Sequence, residues 1–199
     1  AKRVGYDRQH TALDLHDRKC DQNLARLHKA GITGVRTVSG DACELDEVLT
    51  SFDAMLGKPV LFDTVFIDAP CSGTGTMRRH PEIPWRLTES DVTCELPKLQ
   101  LTMLKEAAAR VAEDGELIYA TCSVFDEENA QVVDAFLSSP EGADLSLAPL
   151  SEAQILQLPE FAQAKKLVSV RQNDRGLFQS VPINADSYDG HFCARLVRK

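Results

Sequence analysis

Two cysteines stand apart from the other four in this 199-residue chain. Cys71 lies in Asp68-Ala69-Pro70-Cys71-Ser72-Gly73-Thr74-Gly75, and Cys122 in Tyr119-Ala120-Thr121-Cys122-Ser123. Each follows a strand-like apolar run, which puts it at the mouth of a cleft beyond the carboxyl end of a strand. A thiol there is partly ionised at neutral pH and intrinsically nucleophilic. A helix starting at Asp126 would help to lower its pKa. Cys20 falls on an apolar helical stripe and Cys193 in an alternating strand, while the sequence around Cys43 and Cys94 suggests no chemical role. These four read as inert thiols. No pair has CxxC spacing, and a disulfide framework belongs to shorter, secreted chains. Reduced thiols, a cytoplasmic setting and no metal are therefore expected.

Three acids sit at expected strand ends: Asp14, Asp41 and Asp68. An acid ending the second strand of an open α/β sheet commonly accepts from ribose hydroxyls. One after the next strand can meet an exocyclic amine. Each acid alone also fits a helix cap or a turn, but three in register point to one nucleotide-like ligand. Gly73-Thr74-Gly75 is no dinucleotide fingerprint, because Arg78 stands where a third glycine would be. Its glycines permit a tight turn near bound substrate. No Walker loop, HExxH or GxSxG occurs.

These residues need a scaffold, and the pattern supplies strands alternating with helices: an α/β fold with a largely parallel sheet. Strands are expected at 11–15, 35–38, 60–67 and 116–120. The run at 60–67 reads as a buried strand. Cys20, Leu24 and Leu27 mark a helix stopped by Gly31. A weaker helix covers 44–55. The clearest helix covers 97–111, with Leu99, Met103, Ala107 and Val111 as its stripe, Leu96, Leu104 and Ala108 beside it, and Asp114-Gly115 to end it. Pro97 fits only its first turn. Asp126 is expected to cap a helix carrying Ala130, Val133 and Leu137. Residues 138–165 read as irregular. The alternation at 191–197 predicts a last strand, antiparallel to its neighbour.

The formal net charge is −8, from 22 basic and 30 acidic residues. Residues 165–199 carry seven basic and three acidic residues, so the acid excess lies in the body. An acidic body argues against nucleic-acid binding through the overall field. It leaves room for a local basic rim, for which residues 77–86 are the candidate, holding Arg78, Arg79, His80 and Arg86. No run of about 18 apolar residues exists to span a membrane. The first residues lack the apolar core of a signal peptide.

The paired Pro-Cys and Thr-Cys motifs, with Asp126-Glu127-Glu128-Asn129 after the second, resemble the signatures of RNA cytosine-5 methyltransferases. Arg78-Arg79-His80-Pro81-Glu82-Ile83-Pro84-Trp85 is similar to the bacterial RsmB/Sun (Fmu) branch, which modifies small-subunit ribosomal RNA. Asp189-Gly190-His191-Phe192 resembles the terminal motif, with His where a second aromatic is usual. The match covers about residues 11–137 and the last dozen.

The resemblance implies a Rossmann-like sheet whose last strand is antiparallel, with S-adenosylmethionine as methyl donor. It places ribose on Asp14, adenine near Asp41, and Asp68 by the donor and the target base. Cys122 would be the nucleophile and Cys71 would assist product release. Arg78, Arg79 and His80 would hold flanking phosphates or splayed nucleotides. Trp85 could stack on a base, although a lone Trp in a Pro-rich loop also fits a packing anchor. The family carries a first strand and a glycine-rich loop ahead of Asp14; here 13 residues precede it, with Gly5 the only glycine. The resemblance thus implies one partial catalytic domain over 1–199, lacking its N-terminal part. The alternatives are an inactive RNA- or nucleotide-binding remnant, and an unrelated thiol hydrolase. The hydrolase would need a His oriented toward a cysteine, and His80 is the only His near either in sequence.

Overall fold

A computed structural model describes residues 10–149, 170–181 and 189–199. The chain divides into two units, Ala1–Val60 and Leu61–Lys199.

In the first unit, β1 (His10–Asp14) runs parallel to β2 (Val35–Ser39), with Asp14 opposite Ser39. Between them α1 (Asp17–Lys29) carries Asp17 in its first turn and Arg26, His28 and Lys29 in its last, matching the helix dipole. It stops before Gly31 at φ 71°, as expected. Cys20 is buried, and its thiol donates to Val38 O at 3.2 Å, tying the helix to β2. A second helix, α2 (Leu45–Leu56), buries Leu49.

The second unit is a mixed sheet in the order β3-β4-β8-β7-β6. β3 (Phe62–Asp68) pairs in parallel with β4 (Val111–Thr121). α3 (Leu96–Ala108) connects them. Among the described residues, β4 is followed by α4 (Ala130–Leu137) and the short strands β5 (Leu145–Leu147), β6 (Val170–Gln172) and β7 (Phe178–Ser180). The last strand, β8 (His191–Arg198), lies antiparallel between β4 and β7, and β5 also pairs with it.

Alternation decides where the core sits. Leu117, Tyr119 and Thr121 of β4 are buried, and they pair with Leu196, Ala194 and Phe192 of β8, also buried. Leu104 of α3 and Val133 and Phe136 of α4 are buried as well. Each such Leu or Phe contributes on the order of 2 kcal/mol of burial free energy.

Four expectations are corrected. The run at 60–67 forms an end strand, and only Ile67 within β3 is buried, because one side of the strand has no partner in this sheet. The buried face of α3 keeps Ala107 of the stripe and the flanking Leu104 and Ala108, but it takes in Gln100 while Leu99 is exposed. The helix ends at Ala108, and Val111 already belongs to β4, so Asp114-Gly115 is not a helix stop. Instead Gly115 lies where the β3–β4 register slips; a Cβ there would meet Asp63 O and Phe62 O at 3.0 Å. Residues 138–149 of the expected irregular stretch contain β5; residues 150–165 lie outside the described residues.

Candidate active site at the strand ends

Because β3 and β4 are parallel, the residues following both emerge at one edge. The amide of Ala69 donates to Ala120 O at 2.9 Å, carrying the pairing one step past Asp68. The chain then turns through Gly73 in the left-handed region, φ 73°. Gly75 N donates to Cys122 O at 2.9 Å, and Gly190 N donates to Gly75 O at 2.8 Å. Three segments thus meet: the loop after β3, the loop after β4, and the entry to β8.

At this junction the sulfurs of Cys71 and Cys122 are 3.1 Å apart, a hydrogen bond and not a disulfide. Cys122 N also donates to Cys71 Sγ at 3.3 Å. The hydrogen bond from Cys71 pulls the Cys122 thiol down to about 7, helped by the charge of His191 and opposed by burial and by Asp68. Cys71 moves strongly upward, through the same bond, its burial and the charge on Cys122. The two thiols are thus driven apart: Cys71 holds its proton, and Cys122 gives its proton up more readily than an ordinary thiol. Burial pushes Cys193 up, consistent with an inert thiol.

The helix N-terminus expected at Asp126 is not the cause of the Cys122 shift. Residues Asp126–Glu128 form a single 3-10 turn behind Phe125, and α4 begins after Asn129, with no side-chain cap at either start. Behind the sulfurs lies a group that sequence reasoning missed. Glu128 is fully buried. Its Oε1 accepts from Ser72 N at 2.8 Å and Gln100 Nε2 at 3.1 Å. Its Oε2 accepts from the hydroxyls of Ser72 and Ser123, each at 2.5 Å. Tyr119 Oη donates to Glu128 O at 2.6 Å, and burial pushes the Tyr119 hydroxyl pKa up. Its sequence signal was its place in Asp126-Glu127-Glu128-Asn129 after the Thr-Cys motif, which does not say which acid turns inward.

Asp68 ends β3 and is exposed, close enough for its charge to act on Cys122. In the first unit, Asp14 ends β1; its Oδ1 accepts from His16 N at 3.0 Å, and Lys19 Nζ stands 3.8 Å from Oδ2. Asp41 follows β2 and accepts from Cys43 N at 2.8 Å, while Gly40 N donates to Asp14 O at 3.1 Å. Asp14 and Asp41 thus share the carboxyl edge of the small sheet.

The basic loop is anchored to the second unit. Arg79 lies 2.5 Å and Arg78 3.4 Å from the two carboxylate oxygens of Asp189. His80 faces Glu82 at 3.4 Å, and so does Arg86 at 3.3 Å. Trp85 is 89% exposed, so it is not a packing anchor. Among the described residues, no group of three or more His, Cys, Asp or Glu side chains is placed to hold a metal, and no helix is long and apolar enough to cross a membrane.

A family description, 16S rRNA methyltransferase RsmB/F, matches residues 4–197. The ribosomal RNA small subunit methyltransferase B of Pasteurella multocida is 34% identical over 146 residues, covering 72% of this chain and 31% of that protein. Its namesake from Salmonella arizonae is 47% identical over 85 residues, covering 43% of this chain and 20% of that protein. The crystal structure of PH0851 superposes with a TM-score of 0.76 at 27% identity, over 97% of this chain and 38% of that one. The chain thus spans less than a third of the length of these curated relatives.

Proposed function

The chain belongs to the 16S rRNA methyltransferase RsmB/F family, and from that premise we propose that it methylates carbon 5 of a cytosine in RNA, small-subunit ribosomal RNA in particular, through a covalent cysteine adduct. The observation that carries the reading is the sulfur pair in hydrogen-bond contact at 3.1 Å. Carbon 5 of cytosine is a weak nucleophile. Addition of the Cys122 thiolate to carbon 6 pushes electron density onto carbon 5. S-adenosylmethionine, when bound, supplies an electrophilic methyl to that carbon. The carbon 5 proton then passes to solvent and the C6–S bond breaks. The electron pair returns to the Cys122 sulfur, where the Cys71 thiol again stabilises it as thiolate.

In the first unit, Asp14 and Asp41 are the residues proposed for the donor's ribose and adenine; in the second, Asp68 is proposed as the acid beside the reacting groups. Exposed or half-buried carboxylates just past strand ends are acceptors of the kind that ribose hydroxyls and an adenine amine require. Asp14 and Asp41 each spend one oxygen on a backbone amide, which fixes the orientation of the carboxylate. Arg78, Arg79 and His80 would meet the RNA. The target base must be unstacked to reach the sulfurs, and Trp85 offers it or a neighbour a stacking face.

RNA carrying 5-fluorocytosine tests the mechanism, because fluorine cannot leave as a proton does and the adduct persists. With S-adenosylmethionine present, trapping is expected with the complete protein and lost in its Cys122→Ala variant. Cys71→Ala should still trap RNA. Trapping that depends on Cys71 alone would exchange the two roles, and none at all would leave a binding remnant.

A further inference from the structure

Glu128 makes hydrogen bonds on both sides of the sulfur pair. Ser72 adjoins Cys71, and its amide and hydroxyl both donate to the carboxylate. Ser123 adjoins Cys122, and its hydroxyl donates to the same Oε2 that Ser72 uses. Gln100 divides its amide protons between Glu128 Oε1 at 3.1 Å and Pro70 O at 2.9 Å, bracing the first loop again from α3. All these partners are neutral, and a buried carboxylate is costly to desolvate. An apolar side chain would fill the volume and bind neither loop.

We infer that Glu128 is a positioning residue whose carboxylate staples the Cys71 loop to the Cys122 loop and so fixes the distance at which one sulfur donates to the other. A thiol acts on a neighbouring thiolate only within hydrogen-bond range, and here the two sulfurs are 3.1 Å apart. Both serine hydroxyls reach one carboxylate oxygen, so the two loops cannot separate without breaking a 2.5 Å bond. This assignment rests on the proposed function only in taking Cys71 and Cys122 as the reacting pair.

Thiol chemistry reads the staple without RNA or methyl donor. Iodoacetamide alkylation of Cys122 is followed against pH by peptide mass spectrometry, with Cys94 as internal reference. The titratable groups facing Cys122 are Cys71 from the loop after β3, Asp68 at the end of β3, and His191 of β8. In Glu128→Gln one acceptor oxygen becomes a donor and one arm of the staple is lost. The Cys122 midpoint is expected to rise by about one pH unit, which slows alkylation at pH 7 about fivefold. Ser72→Ala and Ser123→Ala should each raise it less, and neither should add fully to Glu128→Gln. An unchanged midpoint in folded Glu128→Gln, or full additivity, overturns the inference. Should Glu128→Gln not fold, the serine variants decide: a midpoint unmoved in both is equally fatal. Failure of 5-fluorocytosine trapping with these shifts intact would remove the function and leave the staple standing.

Discussion

Gly75 and Gly190 touch backbone to backbone: a Cβ built on Gly75 would lie 2.0 Å from Gly190 O. No side chain fits there without moving one of the two segments. Gly75→Ala is therefore expected to cost about 2 kcal/mol or more. The Gly75 amide also holds Cys122 O, so the same variant should loosen the sulfur pair. Calorimetry would show a lower Tm, and a Tm equal to that of the parent chain would contradict the close approach.

The sulfur pair predicts a pH profile with a definite sign. Cys122 is lowered from 9.0 to about 7, so its thiolate fills as pH rises through 7 and empties below it. Near pH 6 about a tenth of the nucleophile remains. Alkylation of Cys122 should follow that curve, and Cys71→Ala should move the midpoint toward 9, since the largest cause of the lowering is gone. A midpoint already near 9 in the parent chain would count against the hydrogen bond from Cys71 as the cause of the lowering.

Trp85 is the sole tryptophan and is almost fully exposed, so its fluorescence reports on one loop. Single-stranded cytidine-rich RNA is expected to quench it, more strongly at low salt. Trp85→Ala should weaken RNA binding about tenfold, the worth of one stacked base. RNA that binds with no change in emission would separate Trp85 from the interface.

Asp14 offers a fourth test. Asp14→Asn keeps an oxygen for the His16 amide while losing the charge and one acceptor. Calorimetric titration should show S-adenosylmethionine affinity falling about tenfold, the scale of one hydrogen bond to a charged group. Equal affinities would take Asp14 out of the donor site.

The strand ends were legible in the sequence because period-two alternation and apolar runs announce strands, and acids or cysteines directly after them are conspicuous. Cys71 and Cys122 were paired on that basis, as was the antiparallel β8. Glu128 was not legible. Its burial follows from the 3-10 turn that aims it inward, and nothing in a run of acids tells which one will point into the core. Gln100 was not legible for a related reason: nothing about a polar residue on a helix tells that it will be buried against Glu128. The break of α3 was also hidden, because Val111 continues the helical spacing while belonging to the next strand.

Glu116 of β4 and Arg195 of β8 bond at 2.6 Å across 79 positions of sequence. Such a closure is entropically late: little rewards the chain until the distant strand arrives. Refolding of the second unit should be slow, governed by contact order, with β8 among the last strands to dock. Until then Gly190 cannot brace the turn at Gly75, and both sulfurs wait in an open, half-built corner.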